Sequence, residues 1–139
     1  MPFQLHPQLA GDCHTLGRFD TTHVLLHRNA LFHWFIVVPE TSLADFLDLD
    51  PAFRSRLLVS CAHLSQLLKQ HFHYPKVNFA AIGNVVPQLH LHLIGRSPHD
   101  PLWPAPVWGN LHASAQYSPA QIQELRSLLD QLPGFTPAP

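Results

Sequence analysis

Three polar side chains alternate with leucines in the run Gln88-Leu89-His90-Leu91-His92-Leu93-Ile94. On a β-strand successive side chains point to opposite faces, so residues two apart share a face at a spacing of about 6–7 Å. The alternation predicts Gln88, His90 and His92 on one face, with Leu89, Leu91 and Leu93 in the core behind them. A phosphate group laid over such a face can touch two of the side chains at once. One neutral imidazole can attack phosphorus in line while its neighbour donates a hydrogen bond to a non-bridging or leaving oxygen. The attacking ring needs its other nitrogen held as a donor, usually to a backbone carbonyl.

The same residues admit blander readings. The chain holds 12 histidines, and His71-Phe72-His73 repeats the His-x-His spacing at a helix end with nothing around it. Two histidines on a strand can be a solvated face, or two legs of a zinc site. A zinc site needs a third ligand, and no Cys-x-x-Cys, His-Glu-x-x-His or acidic cluster supplies one. On the residues alone, the solvated face, the metal site and the phosphate site all remain open.

The elements that must position these residues can be read from periodicity. Residues 24–26 and the stronger run 34–38, closed by Pro39, read as strands joined by a hairpin connection over 27–32. A weaker strand falls around 14–17, and 42–49 allows one short helical turn. Asp50 is a suitable N-cap and Pro51 suits the first helical position. From there Leu57, Cys61, Leu64 and Leu68 recur at spacings of four, three and four, which predicts a helix to about His71 lying on a sheet. Residues 77–82 and 89–94 read as two further strands, paired antiparallel across the link 83–87. Residues 100–109 carry three prolines and two tryptophans, an extended arm lying on a surface. A last helix starts from Ser118 and Pro119 with Ile122, Leu125, Leu128 and Leu129 on one face, and the tail after Pro133 is expected to fray. The sum is an α+β fold: an antiparallel five-stranded sheet with one long helix and a C-terminal helix.

Composition narrows the function classes. At 139 residues the chain suits a single domain spanning 1–139. Charged residues are only 12%, against about 25% in typical domains, so part of the surface is expected to lie against a partner subunit. Net charge is -1 without any Lys/Arg run, which removes the electrostatic footprint of a nucleic-acid polymer binder but not of a protein that holds one nucleotide. Cys13 and Cys61 are isolated thiols, not a disulfide framework. No secretory signal and no apolar run near the ~20 residues of a membrane span is visible, so a soluble, cytoplasmic protein without membrane association is expected.

The longer stretch Asn78-Phe79-Ala80-Ala81-Ile82-Gly83-Asn84-Val85-Val86-Pro87-Gln88-Leu89-His90-Leu91-His92-Leu93-Ile94 resembles the strand-loop-strand signature of the histidine triad (HIT) superfamily. The family motif is His-φ-His-φ-His-φ-φ, with φ apolar, and the order of elements is similar over nearly the whole chain. The match is to a bacterial-type branch with Gln in place of the first triad His. The resemblance implies a nucleotide hydrolase or nucleotidyl transferase acting at a nucleoside α-phosphorus through a nucleotidyl-histidine intermediate. It also implies a homodimer with a shared ten-stranded sheet and a purine nucleotide, AMP-type ligand.

Carried over by position, His90 is the nucleophile and His92 the contact to the α-phosphate, while Gln88 stands where the family has its first His. A glutamine can donate an amide N–H toward a leaving group but cannot act as its general acid. Asn84 falls at a phosphate-contacting position and Val85 replaces a Ser/Thr there. Asn29 matches the residue that holds the ribose hydroxyls, with an ordinary turn asparagine as its plainer alternative. Asn78 matches another polar position near the phosphates. Trp34 stands where many members carry a further His and reads as core, and His33 beside it reads as structural. Trp108 and Trp103 belong to a segment that resembles the family's C-terminal Trp-Pro arm near the substrate. By fold analogy, Phe3, Leu5, Leu25 and Phe32 would wall the base.

Covalent catalysis on histidine requires no metal or other cofactor, and Mg²⁺ would enter only with the substrate. Dinucleoside polyphosphates and nucleoside phosphoramidates are the two substrate classes, and Gln88 favours the polyphosphates because their leaving groups need little protonation. The alternative is a nucleotide-binding or sensor protein that kept the pocket and has little turnover because Gln88 replaces the first triad His.

Overall fold

The structure, a computed structural model, describes residues 2–139. Six strands form one antiparallel sheet: β1 (Cys13–Phe19), β2 (Thr22–His27), β3 (Trp34–Pro39), β4 (Lys76–Ala80), β5 (Leu91–Arg96) and β6 (Phe135–Pro137). Their order is β4-β5-β3-β2-β1-β6. Among the described residues three α-helices accompany the sheet, α1 (Pro7–Asp12), α2 (Pro51–Gln70) and α3 (Pro119–Asp130), and Phe46–Asp48 forms one 3-10 turn within 42–49.

The start of α2 follows from its sequence. The Asp50 carboxylate accepts from the amides of Ala52 and Phe53 at 3.1 and 3.3 Å, and Pro51 follows it where no amide donor is needed. The stripe Leu57, Cys61, Leu64 and Leu68 is buried against Val24, Leu26, Phe35, Val37, Leu91 and Leu93 of the sheet. Each buried leucine contributes about 1.5–3 kcal/mol of transfer free energy. α3 opens on a capping box: the Ser118 hydroxyl accepts from the Gln121 amide at 3.1 Å, and the Gln121 side chain accepts from the Ser118 amide at 2.8 Å. Leu125 and Leu129 carry its buried face. Cys13 and Cys61 are free and buried. Burial pushes both thiols up to about 12, with Asp12 adding to the effect at Cys13, so neither is a ready nucleophile.

The other sheet face is covered as well. Leu25, Trp34, Ile36, Val38 and Ile94 pack there against Leu9 of α1 and Val107 of the C-terminal arm. With both faces covered, every position of β3 and β5 is buried. Alternation is therefore muted in β3, which reads as one continuous apolar run.

Two expectations are corrected. The sheet has six strands, not five, because the tail after Pro133 does not fray. It turns back as β6, pairs with β1 through Gly17↔Pro137 and Phe19↔Phe135, and seats the Phe135 ring 5.3 Å from that of Phe19. Gly17 permits this: a Cβ there would lie 2.3 Å from the Thr136 carbonyl oxygen. The N-terminal residues, for which the sequence carried no secondary-structure expectation, form α1, with the His6 side chain accepting from the Gln8 amide. Finally, the strand expected over 89–94 is paired over Leu91–Arg96, so a bend at Gln88 followed by Leu89 and His90 precedes it unpaired. No helix among the described residues is long and apolar enough to cross a membrane.

Candidate active site

β5 pairs with β3 in the register Ile36↔His92 and Trp34↔Ile94, which puts His92 on the face away from α2. His90 enters just before the strand and closes on the same side, its ring centroid 4.9 Å from that of His92 in an edge-to-face arrangement. Both rings are buried, 7% and 6% exposed, at the floor of an open cavity of about 540 Å³. Such a volume suits a nucleotide-sized ligand.

The hydrogen bonds fix how each ring presents itself. His90 Nδ1 lies 2.7 Å from the Gln88 carbonyl oxygen, which can only accept, so Nδ1 carries the proton and Nε2 keeps its lone pair. Trp34 Nε1–H donates to His92 Nδ1 at 3.0 Å, and an indole N–H can only donate. The neutral His92 ring must then carry its proton on Nε2. Two adjacent imidazoles thus offer complementary tautomers, one a lone pair and the other an N–H. Burial first, then His90 and His27, bring His92 down to about 3, so its ring is neutral throughout the neutral range.

His27 completes the aromatic floor. It stacks on Trp34 with centroids 4.0 Å apart and planes 8° from parallel, and its Nδ1 accepts from the Asn29 amide at 3.1 Å. Burial lowers its pKa, against a smaller opposing pull from Asp12. Trp108 stands edge-on to His92 at 5.2 Å. Its indole N–H is the one buried side-chain polar atom without a partner among the described residues. The loop over the cavity turns at Gly83, whose φ of 67° lies in the left-handed region that favours glycine. It brings Asn84, Val85 and Val86 to the cavity, which Gln8, Leu9 and Asp12 of α1 also line.

Of the predicted site residues, His90, His92 and Asn84 come together on this cavity, and Gln88, Asn29 and Asn78 do not line it. Gln88 lies outside the strand, so alternation does not direct its side chain. Its amide instead clamps the N-terminal segment, accepting from the His6 amide at 2.8 Å and donating to the Gln4 carbonyl at 3.0 Å. Asn29 is a local tie: its side-chain oxygen accepts from the amides of Leu31 and Ala115, and its nitrogen donates to the Ala113 carbonyl. The Asn78 side chain accepts from Arg96 at 2.9 Å within a buried ion-pair cluster. Leu25 and Phe32 are fully buried beneath the surface, and the apolar walls are Leu9, Ile36, Ile82 and Val86. His33 is held by Tyr74 and stacked on Phe72, as a structural histidine would be.

Sequence reasoning missed three contributors. Trp34 does more than pack, since its N–H sets the tautomer of His92. His27 lines the cavity, and α1 supplies a wall. The sequence signal for His27 was its place two residues after Leu25 on β2, which gives it the face that Trp34 and Ile36 share on the neighbouring strand.

Residues 9–99 match the family model described as HIT domain. A histidine triad protein from Marinobacter aquaeolei VT8 is 40% identical, with 91% of this chain and 93% of that chain covered and a TM-score of 0.84. A histidine triad protein from Bradyrhizobium japonicum is 32% identical over 92% and 96% of the two chains, at a TM-score of 0.85. A histidine triad protein from Sinorhizobium meliloti 1021 is 27% identical over 94% and 97%, at 0.86. Among curated proteins none matches.

Proposed function

This chain belongs to the HIT family, whose members are commonly nucleotide hydrolases or transferases, and on that premise we propose that it cleaves at the α-phosphorus of a nucleoside polyphosphate or phosphoramidate through a nucleotidyl-His90 intermediate. The observation that carries the reading is the pair of complementary tautomers at His90 and His92. His90 Nε2 attacks phosphorus, and the bond to the leaving oxygen or nitrogen breaks with its electron pair. The positive charge left on the ring is steadied by Nδ1–H on the Gln88 carbonyl. His92 Nε2–H donates to a non-bridging oxygen as charge builds there, and Asn84 adds a second contact from the rim. Water then attacks phosphorus, the N–P pair returns to Nε2, and the water proton leaves to solvent.

Neither His92 nor His27 is held charged at neutral pH, so neither can serve as a strong acid for the leaving group. That favours leaving groups of low basicity and hence dinucleoside polyphosphates over phosphoramidates. The chemistry asks for no resident metal, and Mg²⁺ would arrive with the polyphosphate. The test is to quench the protein with α-³²P-labelled dinucleoside polyphosphate and map the label. Acid-labile, base-stable label on the peptide holding His90 is expected, and label on another peptide sinks the assignment.

A second reading rests on Gln88, whose side chain is committed to the N-terminal segment and does not line the cavity. It is a nucleotide-binding or sensor protein with little turnover. Tight AMP binding by calorimetry, with no turnover in wild type or in Gln88→His, would favour that reading.

Trp34→Phe keeps an aromatic ring and deletes the donor to His92. Turnover is expected to fall about 10- to 100-fold, the usual cost of losing a partner that orients a functional imidazole, with a mixed tautomer in the ¹⁵N shifts of His92. Mixed tautomers with full turnover would detach this hydrogen bond from the chemistry.

The unpaired β4 edge supports a homodimer. It carries Phe79, 47% exposed, which with Leu58 of α2, 42% exposed, flanks an apolar groove between α2 and β4. Paired there, each copy would bring six strands, where the resemblance implied five. Sedimentation at the mass of one copy would remove this proposal.

A further inference from the structure

α1 lines the same cavity as the His90 and His92 rings, and Gln88 ties down the chain just before it. The Gln88 amide engages the chain at two points, the Gln4 carbonyl and the His6 amide. Leu9, 4% exposed, anchors the helix in the apolar cluster beneath Trp34 and Ile36. This presents Gln8 and Asp12 to the same cavity as His90 and His92. Gln8 Nε2–H donates to Asp12 Oδ2 at 2.9 Å, which orients the carboxylate and leaves its second oxygen without a hydrogen-bond donor among the described residues. None of the ion pairs among the described residues involves Asp12.

A carboxylate on this wall repels the substrate's phosphates and favours groups that donate. The rim residues Asn84 and Gly83 and the rings of His90 and His92 take the phosphate end, so Asp12 meets the other polar part of a nucleotide, its sugar hydroxyls. Two carboxylate oxygens match a vicinal diol, the pairing by which an acidic residue reads a ribose in dinucleotide-binding folds. The residue expected for that task, Asn29, has its side-chain oxygen and nitrogen committed to Leu31, Ala113 and Ala115.

We propose that Asp12, oriented by Gln8 on a wall that Gln88 holds in place, is the specificity residue for the 2′,3′-diol of the substrate, with Gln88 acting as a positioning residue. The inference rests on the nucleotide reading above. The test measures binding of AMP and of 2′-deoxy-AMP by calorimetry to wild type, Asp12→Ala and Gln88→Ala, with circular dichroism as a check on folding. Wild type is expected to prefer AMP by about 10- to 100-fold, the range for hydrogen bonds to a charged group. In Asp12→Ala that ratio is expected to collapse to within about threefold, and in Gln88→Ala to fall substantially as the wall loosens. A merely structural role would weaken both ligands alike and leave the ratio standing. Wild type binding neither nucleotide removes the nucleotide reading and this inference together. Wild type binding both equally, or Asp12→Ala keeping the full preference, removes this inference alone.

Discussion

Turnover of a dinucleoside polyphosphate by His90→Ala is expected to fall by about 10⁴-fold or more, the scale on which enzymes lose a covalent nucleophile. Binding of AMP should change far less, because His92, Asn84 and the apolar walls remain. The substitution removes a ring that is 7% exposed and already hydrogen-bonded to the Gln88 carbonyl, so some stability is lost as well. Circular dichroism and a melting curve separate that loss from the chemical one. A variant that folds and keeps a tenth of wild-type turnover would move the nucleophile to another residue. The expected loss is large because nothing beside His90 can substitute for it. His92 has its Nδ1 lone pair engaged by Trp34 and its proton on Nε2, so it presents a donor, not a nucleophile, to the same phosphorus.

Asp100→Ala should be the most damaging change to the fold that leaves the catalytic rings untouched. Arg96 lies at the far end of β5 and is 1% exposed, and its guanidinium meets the Asp100 carboxylate at 2.7 and 3.2 Å. It also donates to Asn78 and to the Ala105 carbonyl, and packs over the rings of Phe32 and Trp103. Asp100 in turn accepts from the amides of Ser97, Leu102 and Trp103, so one carboxylate ties down the start of the C-terminal arm. Removing it leaves a buried guanidinium without its counter-charge, a cost of about 3–5 kcal/mol. The melting midpoint should drop by roughly 10 °C or more. The double change Arg96→Met with Asp100→Leu should recover much of it, since apolar residues of similar volume often replace a buried pair without loss.

Acid should expose the same pair. Burial alone would raise the Asp100 carboxyl, but the Arg96 hydrogen bond and the amides of Ser97 and Leu102 outweigh it and bring it from 3.8 to about 2. A group whose pKa is lowered on folding stabilises the fold above its unfolded value. The contribution, about 2 kcal/mol, is therefore complete above about pH 5 and is lost progressively as pH falls through 4 toward 2. Asp100→Asn should flatten that limb of the stability profile. An unchanged acid limb would assign the transition to other carboxyl groups.

Much of this architecture was written in local patterns. The Asp50-Pro51 start and the leucine stripe of α2, the Ser118 capping box of α3 and the apolar run of β3 all rest on neighbours within a turn or a strand. The parts that escaped depend on contacts between distant segments. Phe135 becomes β6 only because Gly17, more than a hundred residues earlier, leaves room for it. Gln88 is drawn from the strand face by Gln4 and His6, 84 and 82 positions away. Asn29 reads as a turn residue, and its partners at Ala113 and Ala115 come from the segment between the arm and α3. In the site, the histidine spacing was visible, but the proton positions were not. Those depend on which donor or acceptor the tertiary fold brings to each second nitrogen, as Trp34 shows.

The strand order has a consequence for how the molecule can grow. β6 occupies the outer side of β1 and is short, and its Pro137 has no amide hydrogen to offer a neighbour. At the other margin β4 pairs only with β5. The sheet is therefore a terminated polymer, blocked at one end and open at the other. Addition at the open margin consumes both open ends at once, so an edge-to-edge assembly of this chain stops at two copies and cannot propagate as a fibre.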